Sequence, residues 1–200
     1  MTAEPGRARS PRGDTRERIQ AVALELFAEH GYEKTSLREI SERLGVTKAA
    51  LYYHFKSKED IVRSFTEDYV TELDELIAWG GAQPRTDETR GLLLDRYSVI
   101  VGHRLPVMRF LEQNQAAVHQ LMSEGQRDRH QLFRTQFEQL RDLLAGPDAP
   151  LRDRVRASVA VVSVGISCLL FDKDAGAPGE LHDIALETAC ELAGVARPAG

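Results

Sequence analysis

Apolar residues return along most of this chain at intervals of three and four, the spacing of a helix with one buried face. Ile19, Val22, Ala23, Leu26 and Phe27 form the first such stripe. Asp14, followed three residues later by Glu17, is a capping-box pair that predicts where this helix starts, and Gly31 predicts a left-handed stop. Ser36 with Glu39 repeats the box for a second helix, whose inner face is Leu37, Ile40 and Leu44. Gly45 allows a tight turn, and Thr47 is placed to cap a third helix in which Leu51 and Phe55 share a face. Ser57 caps a fourth, with Glu59 and Asp60 in the first turn where the helix dipole favours acid. Its stripe runs on through Ile61, Phe65, Tyr69, Leu73 and Leu76.

After Trp79, the run Gly80-Gly81-Ala82-Gln83-Pro84 predicts a break. Five further helices are expected at 87–104, 106–123, 126–145, 150–172 and 179–194, with Pro106 and Pro150 at starts, where a missing amide hydrogen costs nothing. Gly146-Pro147 and the stretch from Asp172 to Gly179 read as loops. β-Branched residues concentrate only in 155–166, in a segment long enough to be helical. The expected fold class is all-α, with about nine helices. Residues 1–13 read as a disordered basic arm, 14–60 as a helix-turn-helix domain and 61–200 as a larger helical domain. The helix over 150–172 mixes valines with the small residues Ala157, Ser158, Ala160, Ser163, Gly165 and Ser167 and is apolar nearly all round. Such a helix must be covered on every side, and a second subunit is the simplest cover.

Composition changes this picture in only a few respects. The formal charge of −5 argues at first against nucleic acid, but residues 1–60 hold 11 basic and 10 acidic side chains against 15 and 21 in the remainder. Phosphate binding depends on the face presented rather than the total, and the acidic remainder disfavours non-specific wrapping of DNA. The two cysteines, Cys168 and Cys190, are far from any CxxC spacing, which predicts neither a disulfide scaffold nor a metal site; either thiol could sense oxidant or simply be buried. The start of the chain has no apolar signal core, and the most apolar run, 157–171, is too short to span a bilayer. A cytoplasmic protein without cofactor is expected.

The two short helices around Gly45 have the layout of a helix-turn-helix, whose second helix enters the major groove. Thr47 and Lys48 then lie in the turn that reaches base edges, and Lys48 can donate to guanine O6 or N7. Ala49 and Ala50 leave room for close approach, including to a thymine methyl. Tyr52, Tyr53 and His54 offer hydrogen bonds to phosphate without needing net charge. Lys58, and Ser36 at the amide end of the second helix, could grip further phosphates. The competing readings are that Tyr52 or Tyr53 packs on the first helix, and that His54 is a local cap. Arg7, Arg9 and Arg12 either track an adjacent minor groove or form a solvated tail.

The stretch Ile40-Ser41-Glu42-Arg43-Leu44-Gly45-Val46, followed by Ala50-Leu51-Tyr52-Tyr53-His54-Phe55-Lys56-Ser57-Lys58-Glu59, resembles the TetR family of bacterial transcriptional regulators. The resemblance runs from about Thr15 to Phe65, a quarter of the chain. It implies DNA contact at Thr35, Thr47, Lys48, Tyr52, Tyr53, His54 and Lys58, and an effector-binding and dimerisation role for the helical remainder. The function expected is a homodimeric repressor, released from a palindromic operator in double-stranded DNA by a small-molecule ligand. The dimer would form through residues of about 150–172 and 179–194. Candidate pocket residues are His103, Phe110, Asn114, His119, Met122, Phe133 and Phe137, polar or aromatic side chains on otherwise apolar helices, each of which could equally be core or surface. Few acidic residues share those faces, which points to a neutral or weakly polar ligand. The alternative is a DNA-binding adaptor governed by a protein partner. An enzyme is not expected: the chain has no GxSxG, HExxH, P-loop or dinucleotide fingerprint.

Overall fold

The computed structural model describes residues 11–114, 126–170 and 179–198, all of whose regular structure is helical. The helices are α1 (Pro11–His30), α2 (Leu37–Leu44), α3 (Lys48–His54), α4 (Lys58–Ala82), α5 (Asp87–Gln113), α6 (Gln126–Ala145), α7 (Leu151–Leu170) and α8 (Glu180–Ala193). The chain divides into two compact units, Met1–Phe65 and Thr66–Gly200, and the division falls inside α4.

In the first unit the caps expected of Gly31, Ser36, Thr47 and Ser57 form, whereas Asp14 lies inside α1 rather than at its start. Gly31 closes α1 at φ 86°, its amide donating to Phe27 O. The Ser36 hydroxyl accepts from the Glu39 amide at 3.2 Å, and the Thr47 hydroxyl accepts from the Ala50 amide at 3.2 Å. The other half of the α2 box is replaced, because the Glu39 carboxylate lies 2.6 Å from His30 Nδ1. Gly45 at φ 71° reverses the chain between α2 and α3, its own amide donating to Glu42 O and that of Val46 to Ser41 O. α1 begins at Pro11, three residues before the expected start; proline at a first helical turn sacrifices no hydrogen bond. The unit closes around Ile19, Leu26, Phe27, Ile40, Leu51 and Phe55, with Ile61, Val62 and Phe65 from the first turns of α4 completing it. Every one of these is at most 3% exposed, so the first turns of α4 belong to this core.

The second unit differs from expectation at two breakers. α4 does not stop at Gly80 and Gly81 but continues to Ala82. A Cβ on Gly80 would come within 3.0 Å of both Leu93 Cδ1 and Leu143 Cδ1, so glycine serves here as a packing residue between helices rather than as a stop. Pro106 lies inside α5 instead of opening a new helix. One ring without an N–H removes one rung, and in a 27-residue helix anchored by Leu93, Leu94, Tyr97, Val101, Val107 and Phe110 burial outweighs that loss. Eight helices are therefore described where about nine were expected. The segment 115–125 lies outside the described residues.

Leu73, Leu76, Leu93, Leu94, Tyr97, Val101, Leu140 and Leu144 meet the small face of α7, Ala157, Ala160, Val161 and Val164, in one core. α7 packs most extensively on α8, through Leu186, Ala189 and Cys190. Its other side is also apolar and open: Leu151, Val155, Val159, Val162 and Ile166 are 45–75% exposed, at spacings that keep them on one stripe. The far end of α8 is stitched down. Arg90 donates to Ala193 O, Arg156 donates to Leu192 O and Glu191 O, and the chain beyond passes so close that a Cβ on Gly91 would stand 2.6 Å from Ala196 O. Cations at a helix carboxyl end are favoured by its dipole as well as by these bonds.

Candidate nucleic-acid interface

α3 is built as a two-sided rod. Leu51 is fully buried and Phe55, just past the helix end, is 2% exposed, which anchors one side. Thr47, Lys48, Ala49 and Ala50 are all exposed, with Tyr52 at 41% and Tyr53 at 68%. Neither tyrosine is a core residue. Lys48 Nζ stands 5.4 Å from the Tyr52 ring centroid, so the lysine and the aromatic ring share one surface. The His54 ring meets that of Tyr53 edge-on at 5.3 Å and is only half-buried. Ser36 is exposed at the amide end of α2, its oxygen accepting from Glu39.

Two residues expected at the interface are held inward. Thr35 is 2% exposed, and its hydroxyl donates to Gly31 O at 2.9 Å and Leu26 O at 3.2 Å. Its side chain ties the α1–α2 link together and offers nothing outward. Lys58 Nζ donates to Tyr32 O at 2.8 Å and Glu33 O at 3.3 Å, and sits 4.3 Å over the Tyr32 ring. A lysine so engaged, its side chain only 20% exposed, braces the same link from α4. Tyr32 completes the brace by donating to Glu59 at 3.0 Å. Burial first, and then the neighbouring Glu59 carboxylate, push the Tyr32 hydroxyl well above the usual tyrosine range. Sequence spacing could not reveal this brace, because its members are 25–27 residues apart and carry no periodic signal.

Residues 19–65 match the model of bacterial regulatory proteins of the tetR family. Over 63 residues the chain is 43% identical to the HTH-type transcriptional regulator AcrR of Shigella flexneri, a stretch covering 32% of this chain and 29% of that one. Over 84 residues it is 34% identical to the HTH-type transcriptional repressor KstR2 of Rhodococcus jostii, covering 40% of this chain and 41% of that one. These matches thus span less than half of the curated relatives' length. A solved TetR/AcrR-family transcriptional regulator from Thermobifida fusca aligns over 90% of this chain and 97% of its own, at 26% identity and a TM-score of 0.61. Residues 19–65 thus belong with the tetR family of bacterial regulatory proteins, and the chain as a whole is similar to solved members of it. The regulator PfmR of Thermus thermophilus has the same fold at a TM-score of 0.66, over 89% of this chain and 98% of its own, at 22% identity.

The second unit redistributes the expected pocket residues. His103 points to the surface, and Asn114 is engaged in ending α5, its amide donating to Phe110 O at 2.9 Å. Phe110 is 4% exposed and Phe137 packs on the main core. Phe133 is half-buried with its ring 5.9 Å from that of Tyr69. His119 and Met122 lie outside the described residues, as do Arg7 and Arg9. The polar groups inside this unit are others: Tyr69 and Glu72 on α4, Tyr97 and Arg104 on α5, and Gln136 on α6. Arg104 Nη2 is 2.6 Å from Glu72 Oε1, and Gln136, 1% exposed, donates to Val70 O and Asp74. Burial raises both tyrosine hydroxyls. A signal was present in the sequence, since Glu72 and Arg104 interrupt the apolar stripes that contain Tyr69, Leu73 and Leu76, and Tyr97 and Val101. Burial likewise pushes the Cys190 thiol up, away from the reactive thiolate. No described helix is long and apolar enough to cross a membrane.

Proposed function

We propose that this protein is a DNA-binding transcriptional regulator that acts as a homodimeric repressor and leaves a palindromic operator when a small molecule binds its second unit. One observation carries the DNA reading: α3 exposes Thr47, Lys48, Ala49, Ala50, Tyr52 and Tyr53 while Leu51 anchors it in the core. A rod held that way can enter a major groove without losing its own support. Lys48 reads a base edge, while Tyr52, Tyr53, His54 and the exposed end of α2 at Ser36 meet phosphates. Thr35 and Lys58 act through the α1–α2 link, which they hold in place.

The exposed stripe of α7 supports self-association, since a contiguous apolar surface of this kind is normally covered. With α8, it would form a four-helix bundle with its mate and set two copies of α3 about 34–36 Å apart, one turn of DNA. An effector bound among the helices of the second unit would alter the course of α4, and so the spacing of the reading heads. Coupling of this kind is typically about 1–3 kcal/mol, and operator and effector then weaken each other reciprocally. Such a protein works in the cytoplasm, where its DNA is.

The test is selection of bound duplexes from a randomised pool at fixed salt, with sedimentation of the free protein alongside. A two-fold symmetric consensus bound by a dimer is expected, and Lys48→Ala should relax one position in each half-site. A strictly monomeric protein that retains no duplex at low ionic strength would sink the proposal. The same stripe could instead receive a different protein, as in an adaptor; a protein that stays monomeric yet still selects a DNA sequence would favour that reading.

A further inference from the structure

The Glu72–Arg104 pair leaves two polar atoms over. Arg104 Nη2 meets Glu72 Oε1 at 2.6 Å, but Glu72 Oε2 and Arg104 Nε, both buried, have no hydrogen-bond partner. Buried groups of this strength are nearly always matched, by protein, water or ligand. The pair stands at the edge of the core rather than its centre, since the Arg104 side chain is 14% exposed and that of Glu72 41%. Aromatic surface lies close by: Tyr69 feels the charges of Arg104 and Glu72, and its ring stands 5.9 Å from that of Phe133.

We propose that the Glu72–Arg104 pair is the polar anchor of the effector site, and that it selects a neutral molecule carrying an adjacent hydrogen-bond donor and acceptor, such as a carboxamide or lactam edge, on an aromatic body. This rests on the effector reading given above. The free carboxylate oxygen accepts and the free guanidinium N–H donates, which is the complement of an N–H beside a C=O. The pair is formally neutral, so either ion on the ligand is opposed. A ligand carboxylate would set a second negative charge against Glu72, and a ligand amine a second positive charge against Arg104. Tyr69 and Phe133 supply the apolar wall for the body, as pockets with few polar groups generally do.

Cinnamamide, cinnamate and cinnamylamine share one body and differ only in the charge of the head, so the three can be compared on the full-length protein by titration calorimetry or ligand-detected NMR. The amide should bind at least about tenfold more tightly than either ion, the ratio that one favourable charged hydrogen bond supplies. Glu72→Gln should turn the preference toward cinnamate, and Arg104→Gln toward cinnamylamine. The readout is the order of the three within one protein, which a general loss of stability leaves unchanged; circular dichroism checks that each variant is folded. Failure of the amide to bind, equal binding of all three, or an order untouched by both substitutions overturns the proposal and leaves water as the occupant. Operator titration separates the two claims. If the preferences invert but no probe loosens the operator, the anchor stands and the effector reading falls. If a compound loosens the operator and its effect ignores both substitutions, the effector reading stands and the anchor falls.

Discussion

The two units of this chain treat their interior polar groups differently. In the first, polar side chains turned inward find partners on the spot: Gln20 donates to Ser64, Thr35 to two carbonyls, Tyr32 to Glu59, and Lys58 to the α1–α2 link. All the buried side-chain polar atoms without a hydrogen-bond partner among the described residues, on Glu72, Arg90, Arg104, Gln136 and Arg154, lie in the second. The described part of the first unit satisfies its inward polar groups without a ligand. The second has unused donors and acceptors inside, which is what a unit meant to receive a small molecule would keep. Under the proposed function, reading DNA and sensing a small molecule would call for opposite treatment of the same chemistry.

This contrast can be broken in several places. The largest effect is expected from Leu51→Ala, which empties a fully buried site in the small unit and should cost about 2–5 kcal/mol. Chemical denaturation should show this as a lowered midpoint, with loss of duplex binding at the same temperature. Next comes the second unit's ion pair. Arg104→Leu strands Glu72 and should destabilise by about 1–3 kcal/mol, less than a fully buried pair because Glu72 is 41% exposed. Adding Glu72→Leu should restore most of that loss, and a double variant no more stable than the single one would show that the pair does more than satisfy itself.

Two lysines sharpen the comparison within the first unit. Lys58→Met removes a brace and should lower stability by about 1–2 kcal/mol while keeping the preferred operator sequence. Lys48→Ala should change stability by no more than about 0.5 kcal/mol, yet lose about 1–3 kcal/mol of discrimination at one base pair. Stability and sequence preference, measured on both variants, should therefore move oppositely. The smallest effect concerns alkali. Tyr32, Tyr69 and Tyr97 are raised in the folded state above the ordinary value, chiefly by burial. Their contribution is complete below the unfolded value of about 10 and is lost as pH rises from there toward the folded values. Denaturation midpoints should hold to about pH 9 and fall beyond about pH 10, less steeply in Tyr97→Phe.

The first unit could be read from sequence because its signals are local. Ser36, Gly45 and Thr47 act within three or four residues of themselves, and each does what its chemistry forecasts. Thr35 and Lys58 were misplaced because their partners come from other segments, which no spacing rule reveals. In the second unit the breakers misled, since Gly80 and Pro106 are judged locally but kept helical by long-range packing. The pocket candidates were hard to place for a related reason. Polar or aromatic character on an apolar helix marks a candidate, but only the neighbouring helix decides that His103 faces outward while Arg104 turns in to Glu72.

The tail that crosses Gly91 makes two distant positions one hereditary unit. Any side chain at 91 would strike the Ala196 carbonyl, so that site can diversify only in a descendant whose last few residues have been trimmed or rerouted. Loss of residues 196–198 would in turn release Asp183 from Arg197 and uncover Gly91. The segment from Ala193 to Pro198 is a fastening, and cutting it undoes the seam it closes.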